Sequence, residues 1–409
     1  MAAVLTRLAN GLTVAVDPMP GARSAAIGLY AAVGSRSEPD GKGGLAHMLE
    51  HMVFKGAGGR DARAIAEAIE DVGGTLNAWT ARDQTVFHAR TLPDDVGLAL
   101  GLIADLVRSP RIDEAELERE KQVILSELGE CRDAPDDLIH DHLFEAALGT
   151  QKLARPVLGR EESILGLTRD DCLGWLASEY RPSRLVISAA GAVDPEAVLK
   201  LAGQLFGDLH PGDPPAIVEA SFVGGIRSDR KAAEQTHLAF ALPGLPASHD
   251  DAPALALFSQ AVGGGMSSRL FQELREERGL AYSIYSWTQG VADTGLFAVN
   301  LSTDKARAAE AMALARDCVS RAAEELTEAE LDRARAQVEA GLIMALETPQ
   351  GRADSTARSI EIFNRIMSLD EMLGELRSVT ASDARSVAAK MLDGPIALAS
   401  IGGKLALAA

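Results

Sequence analysis

The residues best suited to chemistry in this chain are His47, Glu50 and His51, in the run His-Met-Leu-Glu-His. On a helix, positions four apart share a face, so both imidazoles can reach one metal ion. Glu50, three residues after His47, points toward the same region. Two neutral imidazoles, one carboxylate and a water make the open four-coordinate shell of a catalytic zinc site. The bland alternative is two ordinary histidines flanking a solvated glutamate. A third ligand must come from elsewhere. A helix expected over residues 113–132 carries Glu120 and Glu127, seven apart and therefore on one face. Either could reach the metal if that helix packs against the histidine helix. Periodicity does not choose between them, because acidic pairs on such helices are commonly a solvated stripe.

Local signals supply the elements that must position these groups. A polar, glycine-rich loop over 34–44 leads into a helix over 45–54. A second helix over 61–71 stops at Gly73-Gly74. Residues 75–80 and 84–91 read as paired strands turning at Arg82-Asp83, followed by a helix over 94–108. At the start of the chain, Asn10-Gly11 turns a hairpin between strands 5–8 and 12–17, and 25–33 is a further strand. The run His210-Pro211-Gly212-Asp213-Pro214-Pro215 cannot continue a helix and divides the chain into domains 1–210 and 217–409. The order helix, glycine stop, hairpin, long helix recurs in the second half. There a helix over 269–278 ends at Gly279, strands 281–287 and 295–302 follow, and a long helix begins near 305. A duplicated α+β domain is the expectation.

Composition narrows the function classes. The formal net charge of −19 over 409 residues argues against nucleic acid, whose phosphates need a basic surface. It permits a cationic peptide to be steered in. Cys131, Cys172 and Cys318 are far apart and form no CxxC pair, so neither a disulfide framework nor a thiolate zinc site is expected, and a reducing cytosol fits. No apolar run suits a signal peptide or a membrane span. The alanine- and arginine-rich, lysine-poor composition favours a bacterial cytosol over an organelle. Gly263-Gly264-Gly265 is not a phosphate loop, since no Gly-Lys-Ser/Thr follows it. His140 and His142, two apart, cannot face one ion from a regular helix.

Four stretches carry a family resemblance: GSRSEPDGKGGLAHMLEHMVFKGAGGR (34–60), GGTLNAWTARDQTVFHARTLPDD (73–95), EREKQVILSELGE (118–130) and GGGMSSRLFQELREERGLAYSIYS (263–286). With them the chain resembles, nearly end to end, the pitrilysin/insulinase (inverzincin) zinc peptidases in their mitochondrial-processing-peptidase-like branch, catalytic beta-type subunit. The resemblance implies the LuxS/processing-peptidase-like metallohydrolase fold, with two homologous domains that each pack an antiparallel-rich mixed sheet with helices. It implies one Zn2+ per chain. The third ligand in that family lies 76 residues past the second histidine, which falls on Glu127. Glu120 then matches an acidic position that supports the site, and Glu50 the general base. Asn77 and Ala78 match the sheet edge to which substrate adds as a strand. Arg275 and Tyr282 match a pair that closes over substrate, and Asp137 and Asp141 match acidic positions that hold a basic residue near the cleavage site. Taken on their own, Arg275 is one of several helix charges, Tyr282 a strand residue, Asn77 a capping residue, and the two aspartates a solvated face.

The implied function is endoproteolysis of extended peptides or precursor N-terminal segments inside a clamshell chamber. A homodimer is the expected assembly, with a heterodimer containing an inactive homologue as the alternative. The competing reading is a non-catalytic scaffold or core-like subunit of a larger complex. Three positions depart from the family pattern: Gly44 replaces a frequent asparagine, Met48 a frequent aromatic residue, and Ala57 a frequent threonine. None of these removes a ligand or the base.

Overall fold

The computed structural model describes residues 3–231 and 233–403. Within them the chain forms two compact units. Unit 1 is drawn from Met1–Gly129, Arg155–Val218 and Met344–Met367, and unit 2 from Glu130–Ala154, Glu219–Ile343 and Ser368–Ala409. These units depart from the contiguous halves 1–210 and 217–409 in two segments. Residues 130–154 pack in unit 2, and 344–367 pack in unit 1. Local signals announce a helix but carry no mark of which sheet it will cover.

Unit 1 is built on strands β1 (Val4–Arg7), β2 (Thr13–Pro18), β3 (Ala25–Ala31), β6 (Thr75–Thr80), β7 (Thr85–Thr91) and β8 (Leu185–Gly191). They form one sheet in the order β1-β2-β8-β3-β7-β6, antiparallel except between β2 and β8. Two short strands, β4 (Gly56–Ala57) and β5 (Arg60–Asp61), pair separately. The hairpin expected at Asn10-Gly11 joins β1 to β2, with Gly11 at φ +98°. Helices α1 (Leu45–Val53), α2 (Ala62–Glu70), α3 (Val96–Arg108) and α4 (Glu114–Asp133) fall where the sequence puts helices, and α6 (Glu161–Leu165), α7 (Arg169–Glu179) and α8 (Pro195–Phe206) are further helices of this unit. Side chains from α1, α3, α7 and α8 share the main core with β2, β3 and β8, including Met48, Leu100, Trp175, Phe206, Ile27 and Ile187. The opposite sheet face holds Ala15, Tyr30, Val86 and Val186, and α12 (Pro349–Phe363) covers it through Ala357 and Ile360. Small residues let α12 lie close to the sheet, where Ser188 Oγ donates to the Ala353 carbonyl at 2.8 Å.

Unit 2 repeats this plan. Strands β9 (Gly225–Asp229), β10 (Thr236–Pro243), β11 (Ser283–Gly290), β12 (Gly295–Thr303) and β13 (Ala397–Ile401) take the order β11-β12-β10-β13-β9. Only β13 and β9 are parallel. Read from one edge, β11-β12-β10-β13-β9 reproduces β6-β7-β3-β8-β2, parallel pair included. One face carries α9 (Ala252–Gly263), α10 (Ala308–Glu325), α11 (Glu328–Ala345), α13 (Leu369–Ser378) and α14 (Ala381–Leu392). The other face is covered by α5 (Pro135–Leu148), whose Ile139, Leu143 and Phe144 meet Ala239, Ala298 and Ala399. The helix expected over 269–278 is a π-helical segment, Phe271–Glu277, which ends before Gly279 at φ +53°. The two-domain α+β fold with mixed sheets is therefore the one expected. No helix among the described residues is long and apolar enough to cross a membrane.

Candidate metal centre

α1 starts at Gly44, whose φ of +88° lies in the left-handed region that glycine enters without steric cost. A Cβ there would also meet the Leu158 carbonyl oxygen at 2.8 Å. The buried Glu38 carboxylate accepts from the Gly44 amide at 3.1 Å and the Ala46 amide at 2.9 Å. It thus satisfies open donors at the helix start, although burial pushes this carboxyl up to about 8 against those two bonds. Leu45, Ala46, Met48, Leu49, Met52 and Val53 are buried, which contributes about 1.5–3 kcal/mol for each of the larger side chains. With those positions facing the core, His47, Glu50 and His51 share the remaining half-buried face.

α4 brings the carboxylates. Leu117, Ile124 and Leu128 anchor its buried side. Glu127 Oε2 then lies 3.9 Å from His47 Nε2 and 3.7 Å from His51 Nε2. One ligand atom from each of His47, His51 and Glu127 falls within 4.8 Å of the others, and no other group of three or more such residues does so among the described residues. Two donors that each sit about 2.0–2.1 Å from one zinc can be at most about 4.2 Å apart, so both contacts to the carboxylate are the right size. Burial, aided by the neighbouring His51, pushes the His47 imidazole down to about 4. It is neutral near pH 7, which is the form that binds metal. His47 Nδ1 is buried without a hydrogen-bond partner. With Nδ1 buried, Nε2 is the ring nitrogen left to meet an ion beside Glu127. The donor set fits zinc.

Glu120 acts behind the ligands. It is buried, with Oε2 3.0 Å from His51 Nδ1 and Oε1 2.8 Å from Lys55 Nζ. A carboxylate at Nδ1 keeps the proton there and turns the Nε2 lone pair toward Glu127. Glu50 is held from the sheet, since Thr80 Oγ donates to Glu50 Oε2 at 2.5 Å. Burial raises the Glu50 carboxyl above its ordinary range, against the pull of the Thr80 hydrogen bond.

The remaining candidates lie elsewhere in the fold. Asn77 and Ala78 are on β6, the edge strand of the unit 1 sheet, and Asn77 Oδ1 accepts from the Ala78 amide at 2.9 Å. In unit 2, Arg275 stands on the π-helical segment with its guanidinium 4.7 Å from the Phe271 ring centre and 5.8 Å from that of Tyr282. Tyr282 is 73% exposed. Asp137 and Asp141 sit one turn apart on α5. Burial, then Asp141 and Asp137, raise the Cys131 thiol. Three contacts escaped the sequence reading: Thr80, Lys55 and Glu38. Lys55 lies just past the end of α1, where no helical spacing marks it. Thr80 was signalled by the alternation of a strand whose residues 76, 78 and 80 face inward. No local pattern marks Glu38.

Comparison with known proteins gives the family. The family described as Insulinase (Peptidase family M16) matches residues 13–161, and the Peptidase M16 inactive domain matches residues 166–338. An uncharacterized zinc protease of Streptomyces coelicolor is 36% identical over 407 residues, covering 97% of this chain and 89% of the relative. Another from Bacillus subtilis is 32% identical over 394 residues, covering 96% of each. Among solved structures, a protease from Helicobacter pylori superposes with a TM-score of 0.89 at 24% identity, covering 98% of this chain and 99% of that one. The Peptidase M16 inactive domain from Pseudomonas fluorescens gives 0.91 at 24% identity, with both chains covered in full. These two structures share the fold. The sequence relatives span nearly the whole chain at more than 30% identity, and the chain belongs to the insulinase family of peptidases, M16.

Proposed function

We propose that this chain is a zinc endopeptidase in which His47, His51 and Glu127 hold the metal and Glu50 is the general base. The observation that carries this reading is the convergence of three ligand atoms within 4.8 Å, with Glu50 on the same helix face. Zinc bound there would supply a Lewis acid for the scissile carbonyl and would lower the pKa of the attacking water. Glu50 takes the proton released as water adds to the carbonyl carbon. It then passes that proton to the departing amine nitrogen, so the carbon–nitrogen bond breaks and a carboxylic acid and an amine leave, which ionise to carboxylate and ammonium in water. Glu120 fixes the His51 tautomer, and Lys55 balances the Glu120 charge.

The edge of β6 at Asn77 and Ala78 is the proposed docking line for an extended peptide, which would add as a further strand. The family resemblance supports Arg275 and Tyr282 as substrate-binding groups, and their close pairing and the exposure of Tyr282 are compatible with that role. It also supports a preference for a basic residue near the cleaved bond, held by Asp137 and Asp141. A homodimer in a bacterial cytosol, one zinc per chain, completes the reading.

The test is zinc content and cleavage of a quenched, arginine-containing peptide library, wild type beside Glu50→Gln. The variant should retain zinc and lose about 10²–10⁴-fold or more in kcat. Full turnover in a zinc-loaded Glu50→Gln protein would remove Glu50 from the mechanism. Cleavage without any basic preference would return Asp137 and Asp141 to the solvated surface.

A further inference from the structure

We infer that Thr80 is a positioning residue for the base: its hydroxyl pins Glu50 Oε2 and leaves Oε1 as the oxygen that receives the proton. This rests on the reading of Glu50 as general base. On β6 the side chains alternate, with Ala78 buried, Thr80 half-buried, and Asn77 and Trp79 exposed. Thr80 thus turns from the sheet edge toward α1, and its hydroxyl meets Glu50 Oε2 at 2.5 Å. Among the described residues this is the one hydrogen bond that reaches the Glu50 carboxylate. The cross-strand partner Thr85 cannot substitute, because its own hydroxyl is committed to the Val33 carbonyl at 2.9 Å.

Three consequences follow from the chemistry. A glutamate fixed only at its Cα keeps three rotatable bonds, and misplacing a reacting group by about 1 Å can cost on the order of 100-fold in rate. Threonine is branched at Cβ and stiff at χ1, so it presents its hydroxyl in few directions. With the hydroxyl seated on Oε2, Oε1 is the carboxylate oxygen left open to an incoming proton. Because Thr80 ends the edge strand, the base and the proposed peptide-docking line share one support.

The experiment compares wild type, Thr80→Val, Thr80→Ser and Glu50→Gln as full-length, zinc-loaded protein. Valine keeps the shape and removes the donor, while serine keeps the donor. Thr80→Val should lose about 10–100-fold in kcat, the range seen when supporting partners are removed, with KM and zinc affinity unchanged. Thr80→Ser should recover to within about fivefold. A second readout needs no turnover. In metal-free protein, Thr80→Val should lower the urea midpoint more in the wild-type background than in the Glu50→Gln background, where the bond lost is to a neutral amide oxygen and no carboxylate is stranded; equal shifts in the two backgrounds also overturn the pairing. Unchanged kcat in Thr80→Val beside a dead Glu50→Gln overturns the positioning role and leaves the base in place. Equal losses in Thr80→Val and Thr80→Ser, or loss of zinc from either, also overturn it. An active Glu50→Gln would instead overturn the reading beneath it.

Discussion

α1 and α9 hold the same place in the repeated topology, each following the strand third from the β6 or β11 edge of its sheet, and they have been put to opposite uses. In α1 the face turned from the core carries His47, Glu50 and His51. In α9, of sequence APALALFSQAVG, no side chain can ligate zinc, and Ala254, Leu255, Leu257, Phe258, Ala261 and Val262 are all buried. The neighbouring helices diverge in the same way. α4 directs Glu120 and Glu127 at the histidines, whereas α11, which follows α10 as α4 follows α3, binds its Glu330 to Arg269 within its own unit. Two copies of one strand order thus turn corresponding helices to different work. The frame supplies placement, and chemistry resides in what is placed.

That comparison is sharpened most by stripping each helix of what it carries. His47→Leu on α1 should abolish zinc binding and cleavage while leaving the metal-free protein at least as stable, because it removes a buried imidazole nitrogen that has no partner. Phe258→Ala on α9 should leave the metal ligands intact and lower stability by about 3–5 kcal/mol, the usual cost of emptying a buried phenylalanine site. Urea unfolding of metal-free protein together with zinc analysis checks both. If His47→Leu unfolds the protein, α1 is a structural helix like α9 and the contrast is lost.

A smaller effect is expected one layer behind the ligands. Glu120→Gln keeps the volume but removes the charge that pairs with both His51 and Lys55. Zinc affinity should fall about 10–100-fold, measured by competition with a chelator, and turnover should return at saturating zinc. Loss of turnover that zinc cannot restore would make Glu120 part of the reaction instead of a support for His51.

What could be read from the sequence followed the range of the interactions involved. The His47/His51 spacing, the Gly73-Gly74 stop and the Asn10-Gly11 hairpin are each set within a few residues, and α1, β6 and β7 lie within a residue or so of where local signals put them. The pairing of β2 with β8 joins residues more than 160 apart, and the destinations of α5 and α12 are set by sheets formed from distant strands. No local pattern encodes those. Glu120 and Glu127 are a mixed case. Periodicity put both on one face, but only packing distinguishes a carboxylate against Nε2 from one against Nδ1. The π-helical segment bearing Arg275 was invisible for a different reason, since a run such as FQELREE suits an α-helix equally well.

The smallest expected effect lies on the unit 2 side of the comparison, where a carboxylate serves the fold alone. Glu330 forms a two-pronged pair with Arg269, at 2.6 Å from Nε and 2.9 Å from Nη2, and also accepts from the Thr327 amide at 2.9 Å. The Arg269 hydrogen bond, with help from Thr327, pulls its carboxyl from 4.5 down to about 2. Folding therefore favours the ionised form. The stabilisation is complete above pH 4.5 and is lost progressively as pH falls from there toward about 2. Because the pair is partly solvated, the contribution is modest. Glu330→Gln should lower the urea midpoint slightly at neutral pH, and the gap from wild type should close as pH drops through that window. Zinc content and cleavage should not change. A Glu330→Gln protein that lost zinc would show that α11 supports the metal centre after all, and the division of labour between the two copies would have to be redrawn.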